Sequence, residues 1–530
     1  MPSCSINQLP SELIAEILYR VIAQHADVYR DGIGTWAVYT SSFRLPYSWN
    51  SVKLVCRLWR SLLLKTPMLC DQIVLTRSDV VEDLLRRAGQ LPVQVMSAPV
   101  AHKLNNENSL QAMETILSHF SRVSRADIAI TTPVLALLRR QDVRAARETS
   151  LRHLLLNFYG LGYRDFDPSP RIFPDTTFLA LETFCCIGGH VGICRGLFRS
   201  SLTSLSLWDL DFVLTPPQLS AYLAECPMLE LLTVRNSLLW PLNGALKRLV
   251  EDGWIPEQTT SLPRLRTLQI DDSTDMALSL YFLHHIAFPA STSVRLQRRL
   301  LSASYDLSVL AAALRAKFER QSSFLGCPPV VRSVLVEEYD HFVRVAFWET
   351  DNATRASDFD ASSAAQAPVL EIISLNDDLA DALRFLSELP VAEVTHLRIR
   401  TAGDNSVVSW NLVLAAMPAL QELDVCGSSL LGVLDALGDA SRADRESPSV
   451  PKLRVLHLDV RGGSATDIVP LPEWTARFNK SLLYRTERCL VLDELRLFLP
   501  RNTERAQLDA LVSDAIHKVA TRVKILVGLV

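Results

Sequence analysis

Hydrophobic and polar positions alternate along much of the chain in a pattern of the form Leu-x-x-Leu-x-Leu, with aliphatic substitutions. Alternation of this kind places the apolar side chains on one face of a β-strand and the polar side chains on the other. The pattern therefore predicts a series of half-buried strands. It occurs, once in degraded form, at residues 151–156, 181–184, 202–207, 229–234, 265–270, 394–399, 420–425, 453–458 and 492–497.

From 202 to 265 and from 394 to 492, consecutive repeats begin 26 residues (420 minus 394) to 39 residues (492 minus 453) apart, which is room for one helical return to the next strand. Pro227, Pro263, Pro418 and Pro451 precede repeats and are expected to end the preceding helices. A strand plus a helical return is the unit of a leucine-rich repeat, which this pattern resembles. The pitch varies and no fixed asparagine is present, so the resemblance implies an irregular α/β solenoid over residues 76–530.

Shorter segments extend and interrupt this series. Before the first repeat, strands are expected at 71–76, 91–96 and 125–130, and helices at 80–88 and 109–120. Apolar runs at 330–337 and 343–348 predict a β-hairpin. The small, polar segments at 350–368 and 439–449 predict mobile loops.

The beginning of the chain has helical rather than strand periodicity. Leu13, Ile17 and Val21 recur every four residues, with Ile14, Leu18 and Ile22 beside them, as in a helix with a broad apolar stripe. Pro10 suits its first turn. A second helix is expected from Val52, Val55, Trp59 and Leu62, capped by Asn50 or Ser51. Because the two helices are this short and this apolar, we expect them to bind a partner.

The same residues resemble the F-box. They read Leu9-Pro10-x-Glu12-Leu13-x-x-x-Ile17-Leu18, followed downstream by Val55-Cys56-Arg57-x-Trp59-Arg60. The resemblance covers residues 1–75 and departs from the family at about 24–49, an insertion similar to those in F-box proteins of mushroom-type fungi. That insertion leaves open where the second F-box helix lies.

The resemblance implies the substrate-recognition subunit of a Skp–cullin–F-box type ubiquitin ligase, which is not itself an enzyme. Its F-box would bind a Skp-type adaptor, and through it a cullin, while the repeats would hold a protein substrate. The residues that match the family pattern, and so the expected adaptor contacts, are Leu9, Pro10, Leu13, Ile17, Val55 and Trp59. The alternatives are a leucine-rich-repeat scaffold that recruits no ligase, and a hydrolase on a βα framework.

Composition argues against some kinds of partner and some compartments. The 54 basic and 58 acidic residues give a net charge of −4, which argues against an electrostatic nucleic-acid partner. We expect no membrane span and no secretory signal, because the first residues lack a basic segment followed by an apolar one. The ten scattered cysteines are expected to be reduced thiols, so the cytoplasm or nucleus is the expected compartment.

Candidate chemistry is sparse, and neither a cofactor nor a metal is expected. The glycines of 188–192 end without the lysine of a phosphate-binding loop, and His284-His285 lies in an apolar helical stretch. The acidic residues around His341, namely Glu337, Glu338 and Asp340, are expected to be solvated at the hairpin tip. The polar strand positions show no charge preference; they are Arg152, Ser204, Ser206, Thr233, Arg266, Gln269, Arg398, Asp424, Arg454 and His457.

Overall fold

The computed structural model describes most of the regular structure of the chain. The described residues are 9–21, 54–97, 107–140, 149–158, 172–173, 178–189, 191–210, 216–235, 259–272, 277–299, 307–324, 330–339, 342–350, 368–375, 379–401, 410–427, 429–438, 450–460, 471–499, 516 and 519–527. The insertion expected at 24–49, nearly all of the loop expected at 350–368 and the loop expected at 439–449 lie outside them.

The chain divides into two compact units. Unit 1 comprises Met1–Pro241 and Thr260–Leu265, and unit 2 comprises Leu242–Thr259 and Arg266–Val530.

Unit 1 begins with a pair of helices. Helix α1 covers residues 11–21, and its first hydrogen bond runs from the Ile14 amide to the Pro10 carbonyl at 3.1 Å. Helix α2 is Arg57–Lys65, followed by a 3-10 turn at Pro67–Cys70. The expected cap was wrong, because Cys56 caps α2, its sulfur accepting from the Trp59 amide at 3.5 Å.

The rest of unit 1 alternates strands with helices. Apart from one two-residue strand, each strand of unit 1 pairs in parallel with the next one in sequence. The strands are β1 Gln72–Leu75, β2 Val93–Ser97, β3 Val123–Ala129, β4 His153–Asn157, β5 Thr183–Ile187, β6 Ser204–Trp208 and β7 Leu231–Arg235, with a short strand at Thr260–Ser261. The helices are α3 Ser78–Ala88, α4 Glu107–Ser118, α5 Thr132–Arg140 and α6 Pro216–Ala224, with 3-10 turns at Phe120–Arg122 and Val191–Leu197.

Side-chain alternation in these strands separates a buried face from a half-exposed one. Leu154, Phe184, Leu205 and Leu232 are register partners on β4 to β7, and all are buried. Burial of aliphatic and aromatic side chains in such rows provides the main favourable free energy of the fold. The intervening residues of these strands point to the opposite, half-exposed face.

Unit 2 also has helices between many of its strands. Its strands are β8 Thr267–Asp272, β9 Ser293–Arg299, β10 Ser333–Tyr339, β11 Phe342–Trp348, β12 Leu370–Leu375, β13 His396–Thr401, β14 Glu422–Gly427, β15 Val455–Asp459, β16 Glu494–Leu499 and β17 Val523–Val527, with a short strand at Ile286–Ala287. The helices are α7 Ala277–His285, α8 Leu307–Phe324, α9 Leu379–Glu388, α10 Trp410–Ala416, α11 Leu430–Leu437 and α12 Leu471–Glu487.

The order of strands across the sheet of unit 2 departs from chain order at one place. The sheet runs β8, β9, β12, β11, β10, β13, β14, β15, β16, β17. Strand β11 is antiparallel to both of its neighbours, and the other pairs are parallel. The expected hairpin is therefore confirmed as β10 and β11, but it forms part of the sheet and does not interrupt it.

The sequence pattern located most of these elements. All nine Leu-x-x-Leu-x-Leu segments contain strands, and the chain is a mixed α/β protein with a large, mostly parallel sheet. Strands β9, β12 and β17 were not predicted, because their apolar runs lack the leading Leu-x-x of the pattern. None of the described helices is both long and apolar enough to cross a membrane.

Candidate functional site: two binding surfaces

The helix pair of unit 1 has a small apolar core of its own. Ile14 and Leu18 of α1 and Leu63 of α2 are buried together with Leu69 of the following turn. Leu9, Tyr19, Trp59 and Leu62 are half-buried and pack against this core. One row of apolar residues on α1 thus holds the two helices together.

A second row of apolar residues on α1 is left exposed. Leu13 and Ile17 each lie one position before a buried residue, Ile14 and Leu18 respectively, and Val21 continues their row one turn later. The row lies to one side of the buried residues and is exposed to solvent. The side chain of Leu13 is 51% exposed. Apolar residues at four-residue intervals form a continuous strip along a helix, so this row is suited to contact with another protein.

The second helix also contributes exposed apolar residues. Leu54 and Val55 immediately precede α2, Leu58 lies in its first turn, and all three are exposed. We call this set the helix-pair surface; it consists of Leu13, Ile17, Val21, Leu54, Val55 and Leu58.

The six expected adaptor contacts fall into two groups. Pro10, Leu13, Ile17 and Val55 are exposed. Leu9 and Trp59 instead pack against the core of the helix pair, so part of each side chain is used within the molecule. The indole Nε1 of Trp59 is buried and makes no hydrogen bond.

The sequence predicted a second helix that includes Val52 and Val55, and the predicted start of this helix was wrong. In the structure α2 begins at Arg57, so Val55 lies before the helix. Position 52 lies outside the described residues. Leu54 and Leu58 were not predicted as surface contacts for the same reason. A helix that begins near residue 52 was expected to present Val55 and Trp59 instead.

A second surface lies on the sheet of unit 2, where charged side chains share the half-exposed face and form ion pairs from strand to strand. We call this set the charged face; it consists of Arg295, Glu337, Arg344, Glu371, His396, Arg398, Arg400, Glu422, Asp424, His457, Glu494, Arg496 and Lys524.

Around strands β9 to β13, two buried carboxylates share three arginines. The Arg344 Nε lies 2.7 Å from Glu371 Oε1, and the Arg344 Nη1 lies 2.9 Å from Glu337 Oε2. Arg295 and Arg400 complete the group at 3.2 Å and 3.6 Å. Glu337 was expected to be solvated at the hairpin tip, which was wrong, because its side chain is only 4% exposed. Asp340 and His341 lie outside the described residues.

Side chains on strands β13 to β15 also pair from strand to strand. His396 Nε2 lies 3.2 Å from Glu422 Oε2, and Arg398 Nε lies 3.1 Å from Asp424 Oδ2. Burial raises the pKa of Asp424, against the effect of Arg398. Burial, with the nearby Arg496, lowers the pKa of His457, which favours its neutral form.

At β16 and β17 one carboxylate meets several cations. Glu494 Oε1 lies 2.6 Å from Arg496 Nε and 2.9 Å from Lys524 Nζ, and Arg522 Nη2 lies 4.0 Å from Glu494 Oε2. Hydrogen bonds from Arg496 and Lys524 lower the pKa of Glu494 to about 2. This carboxylate therefore stays ionised across the physiological range.

On the corresponding face of unit 1, Arg125 Nε lies 3.1 Å from the buried Asp127 Oδ2 on β3, and the row that contains Asp127 continues without charge across β4 to β7. Leu155, Cys185, Ser206 and Thr233 are register partners across β4 to β7. Burial raises the pKa of the Cys185 thiol, so it remains protonated.

The described ranges offer little metal or cysteine chemistry. These contain no group of three or more His, Cys, Asp or Glu residues placed to hold a metal ion. The cysteines described there are free thiols.

Comparison with known proteins adds no family to this description. No protein-family model matches the chain, and no curated protein matches it significantly.

Proposed function

We propose that this chain is the substrate-recognition subunit of a Skp–cullin–F-box type ubiquitin ligase. The observation that carries the proposal is the exposed apolar row Leu13, Ile17 and Val21, in a helix pair whose residues resemble an F-box. In this proposal residues 1–75 form the F-box and the helix-pair surface binds a Skp-type adaptor, which in turn binds a cullin.

Several features support an intermolecular role for the helix pair. Its core, around Ile14, Leu18, Leu63 and Leu69, is formed without the outer row. Exposing a row of large aliphatic residues leaves apolar area in water, which costs about 25 cal/mol per Å² relative to burial. A partner that covers the row would recover that free energy, as a Skp-type adaptor would in this proposal.

The remaining chain would form an irregular leucine-rich-repeat solenoid that binds a protein substrate. Parallel strands that follow chain order from β1 to β7 and from β13 to β17, with helices between many of them, support this reading. The chain would contribute no bond-making residue. It would act by proximity, since holding a substrate near a charged ubiquitin-conjugating enzyme raises its effective concentration. We propose the cytoplasm or nucleus as the compartment.

The test is a pulldown of the intact chain with a purified Skp-type adaptor. The change is Leu13→Asp, which would place a charge in the apolar contact. We expect a loss of at least about 2 kcal/mol of binding free energy, roughly a thirtyfold weaker complex, because an unpaired charge would be desolvated.

The matched control is Leu483→Asp. Leu483 lies on α12 of unit 2 and is 52% exposed, almost the same as Leu13. It should leave adaptor binding unchanged. Equal binding by wild type and Leu13→Asp would show that α1 is not the contact. Adaptor binding without cullin recruitment would favour a scaffold that recruits no ligase.

A further inference from the structure

One end of the charged face has more positive than negative charge. We call Glu494, Arg496, Arg522 and Lys524 the cationic end. Arg496 and Lys524 hydrogen-bond to Glu494, while Arg522 lies at 4.0 Å. Three cations around one carboxylate leave a net charge of +2.

Exposure differs between the two signs of charge. The Glu494 side chain is 8% exposed, whereas Lys524 is 55% and Arg522 is 68% exposed. The carboxylate thus lies beneath the cations, and a molecule that approaches this end meets ammonium and guanidinium groups first. A guanidinium has five N–H donors in a planar fork, so donors remain after one contact with Glu494.

Neighbouring charges reduce the surplus without cancelling it. Asp424, on β14, is paired with Arg398, whereas Glu422 lies 3.2 Å from His396, which offsets its charge only when protonated. Asp493, exposed just before β16, removes one unit and leaves a net charge of +1 on these five described residues, the four of the cationic end and Asp493. The cationic end keeps its sign although the whole chain carries −4.

We propose that the cationic end binds an aspartate- or glutamate-rich segment of a protein. Carboxylate side chains match guanidinium forks in geometry and charge. A nucleic acid fits less well, because its affinity comes from many phosphate contacts along a basic stripe, and this group is small. The inference rests on the proposed function only in calling that segment part of a substrate.

The test measures binding of a fluorescent glutamate-rich peptide to the full chain by anisotropy, with a peptide of matched length containing glutamine in place of glutamate. The glutamate peptide should bind, the glutamine peptide should not, and added salt should weaken binding by screening the charges. The double variant Arg522→Gln/Lys524→Gln should bind roughly tenfold more weakly, since each exposed charge contact contributes about a threefold factor.

The matched control is Arg384→Gln, on α9. Arg384 is 72% exposed, close to Arg522, and its helix buries the neighbouring Leu383 and Phe385 against the core. The same loss of charge there should leave peptide binding unchanged. Equal weakening by Arg384→Gln would overturn the proposal, as would equal binding of the peptide by wild type and the double variant. Tighter binding of a single-stranded RNA through Arg522 and Lys524 would also overturn it.

A variant that is expected to strengthen binding distinguishes a charge effect from loss of binding through misfolding. Glu494→Gln removes the buried negative charge while keeping the side-chain size, so it should raise the affinity for the glutamate peptide about threefold. Unchanged or weaker binding by this variant, with an unchanged circular dichroism spectrum, would contradict the proposed electrostatic origin.

The two proposals can fail separately. Peptide binding without adaptor binding would remove the ligase assignment and leave an acidic-segment site on unit 2. Adaptor binding that Leu13→Asp abolishes, with no peptide binding, would retain the ligase assignment and refute the acidic ligand.

Discussion

The half-exposed sheet faces of unit 1 and unit 2 differ, although the buried faces behind them are alike. Across β4 to β7 of unit 1, one register row is Leu155, Cys185, Ser206 and Thr233. The corresponding row across β13 to β17 of unit 2 is Arg398, Asp424, His457, Arg496 and Lys524. The apolar alternation builds the strands, and the residues between the apolar positions are therefore free to differ.

The two outer faces also differ in how much they contribute to the stability of their units. Across β4 to β7 of unit 1 the outer row consists of uncharged side chains that need little compensation; the buried Asp127 of β3, in the same row, has its ion pair with Arg125. In unit 2, carboxylates such as Glu337 are buried and must keep their arginine partners, so part of the stability of unit 2 depends on its outer face.

The largest expected effects lie on the buried faces and should be the same in both units. Leu232→Ala in unit 1 and Leu423→Ala in unit 2 each remove a fully buried leucine. Each should lower the free energy of unfolding of its unit by about 3 kcal/mol, from lost burial and a residual cavity. Urea denaturation measures this loss. A clear inequality between the two variants would mean that the buried layers also differ.

A similar loss is expected on the outer face of unit 2 and not across β4 to β7 of unit 1. Arg344→Met removes donors from Glu337 and Glu371, so it should cost about 2 to 3 kcal/mol. Ser206→Ala, on the outer face of unit 1, should cost less than about 0.5 kcal/mol. Thermal denaturation of both variants compares them. If Arg344→Met melted at the wild-type temperature, the buried carboxylates would not depend on that arginine.

Lowering the pH should produce a smaller difference in unfolding free energy between the units. The pKa of Glu494 is lowered to about 2 in the folded protein, below its usual 4.5. Its stabilising contribution is therefore complete above about pH 4.5 and is lost as the pH falls toward 2. Solvent screening of the exposed cations limits it to about 1 kcal/mol. Unfolding free energies of wild type and Glu494→Gln should converge over this interval, and a constant difference would contradict the assignment.

The smallest expected effect is common to both faces. Burial lowers the pKa of His153 in unit 1 and of His457 in unit 2 from the usual 6.5. A lowered histidine pKa means that the folded state resists protonation, so stability is complete above 6.5 and declines as the pH falls below it. The decline should be under about 1 kcal/mol for each residue. Replacing either histidine with glutamine should remove that residue's share in a pH-dependent melting series.

The sequence predicted strand positions well because the signal is local. Leu453 to Leu458 show the strand alternation directly, and β15 lies there. Strand β17 was missed because Val523, Ile525 and Val527 form a short run without the leading leucine. The leucines of α1 indicated an apolar surface, but which row remained exposed depended on how α2 packs.

The ion pairs could not be predicted, because they depend on strand order. Glu337 meets Arg400 only since β10 lies beside β13, and Glu371 meets Arg295 only since β12 lies beside β9. Considered singly, the polar positions showed no charge preference. The cation surplus around Glu494 became visible only after β16 and β17 were paired in register.

The reversed strand β11 also determines when unit 2 can be completed during synthesis. In a stack whose neighbours follow chain order, each new strand can add to the one just made. Here β9 pairs with β12, so Ser293 Oγ donates to the Pro368 carbonyl across 75 residues of chain. The next parallel strand, β13, adds to β10. A nascent chain that has emerged only as far as β11 therefore cannot complete the edge of β9, which must wait until β12 has been synthesised.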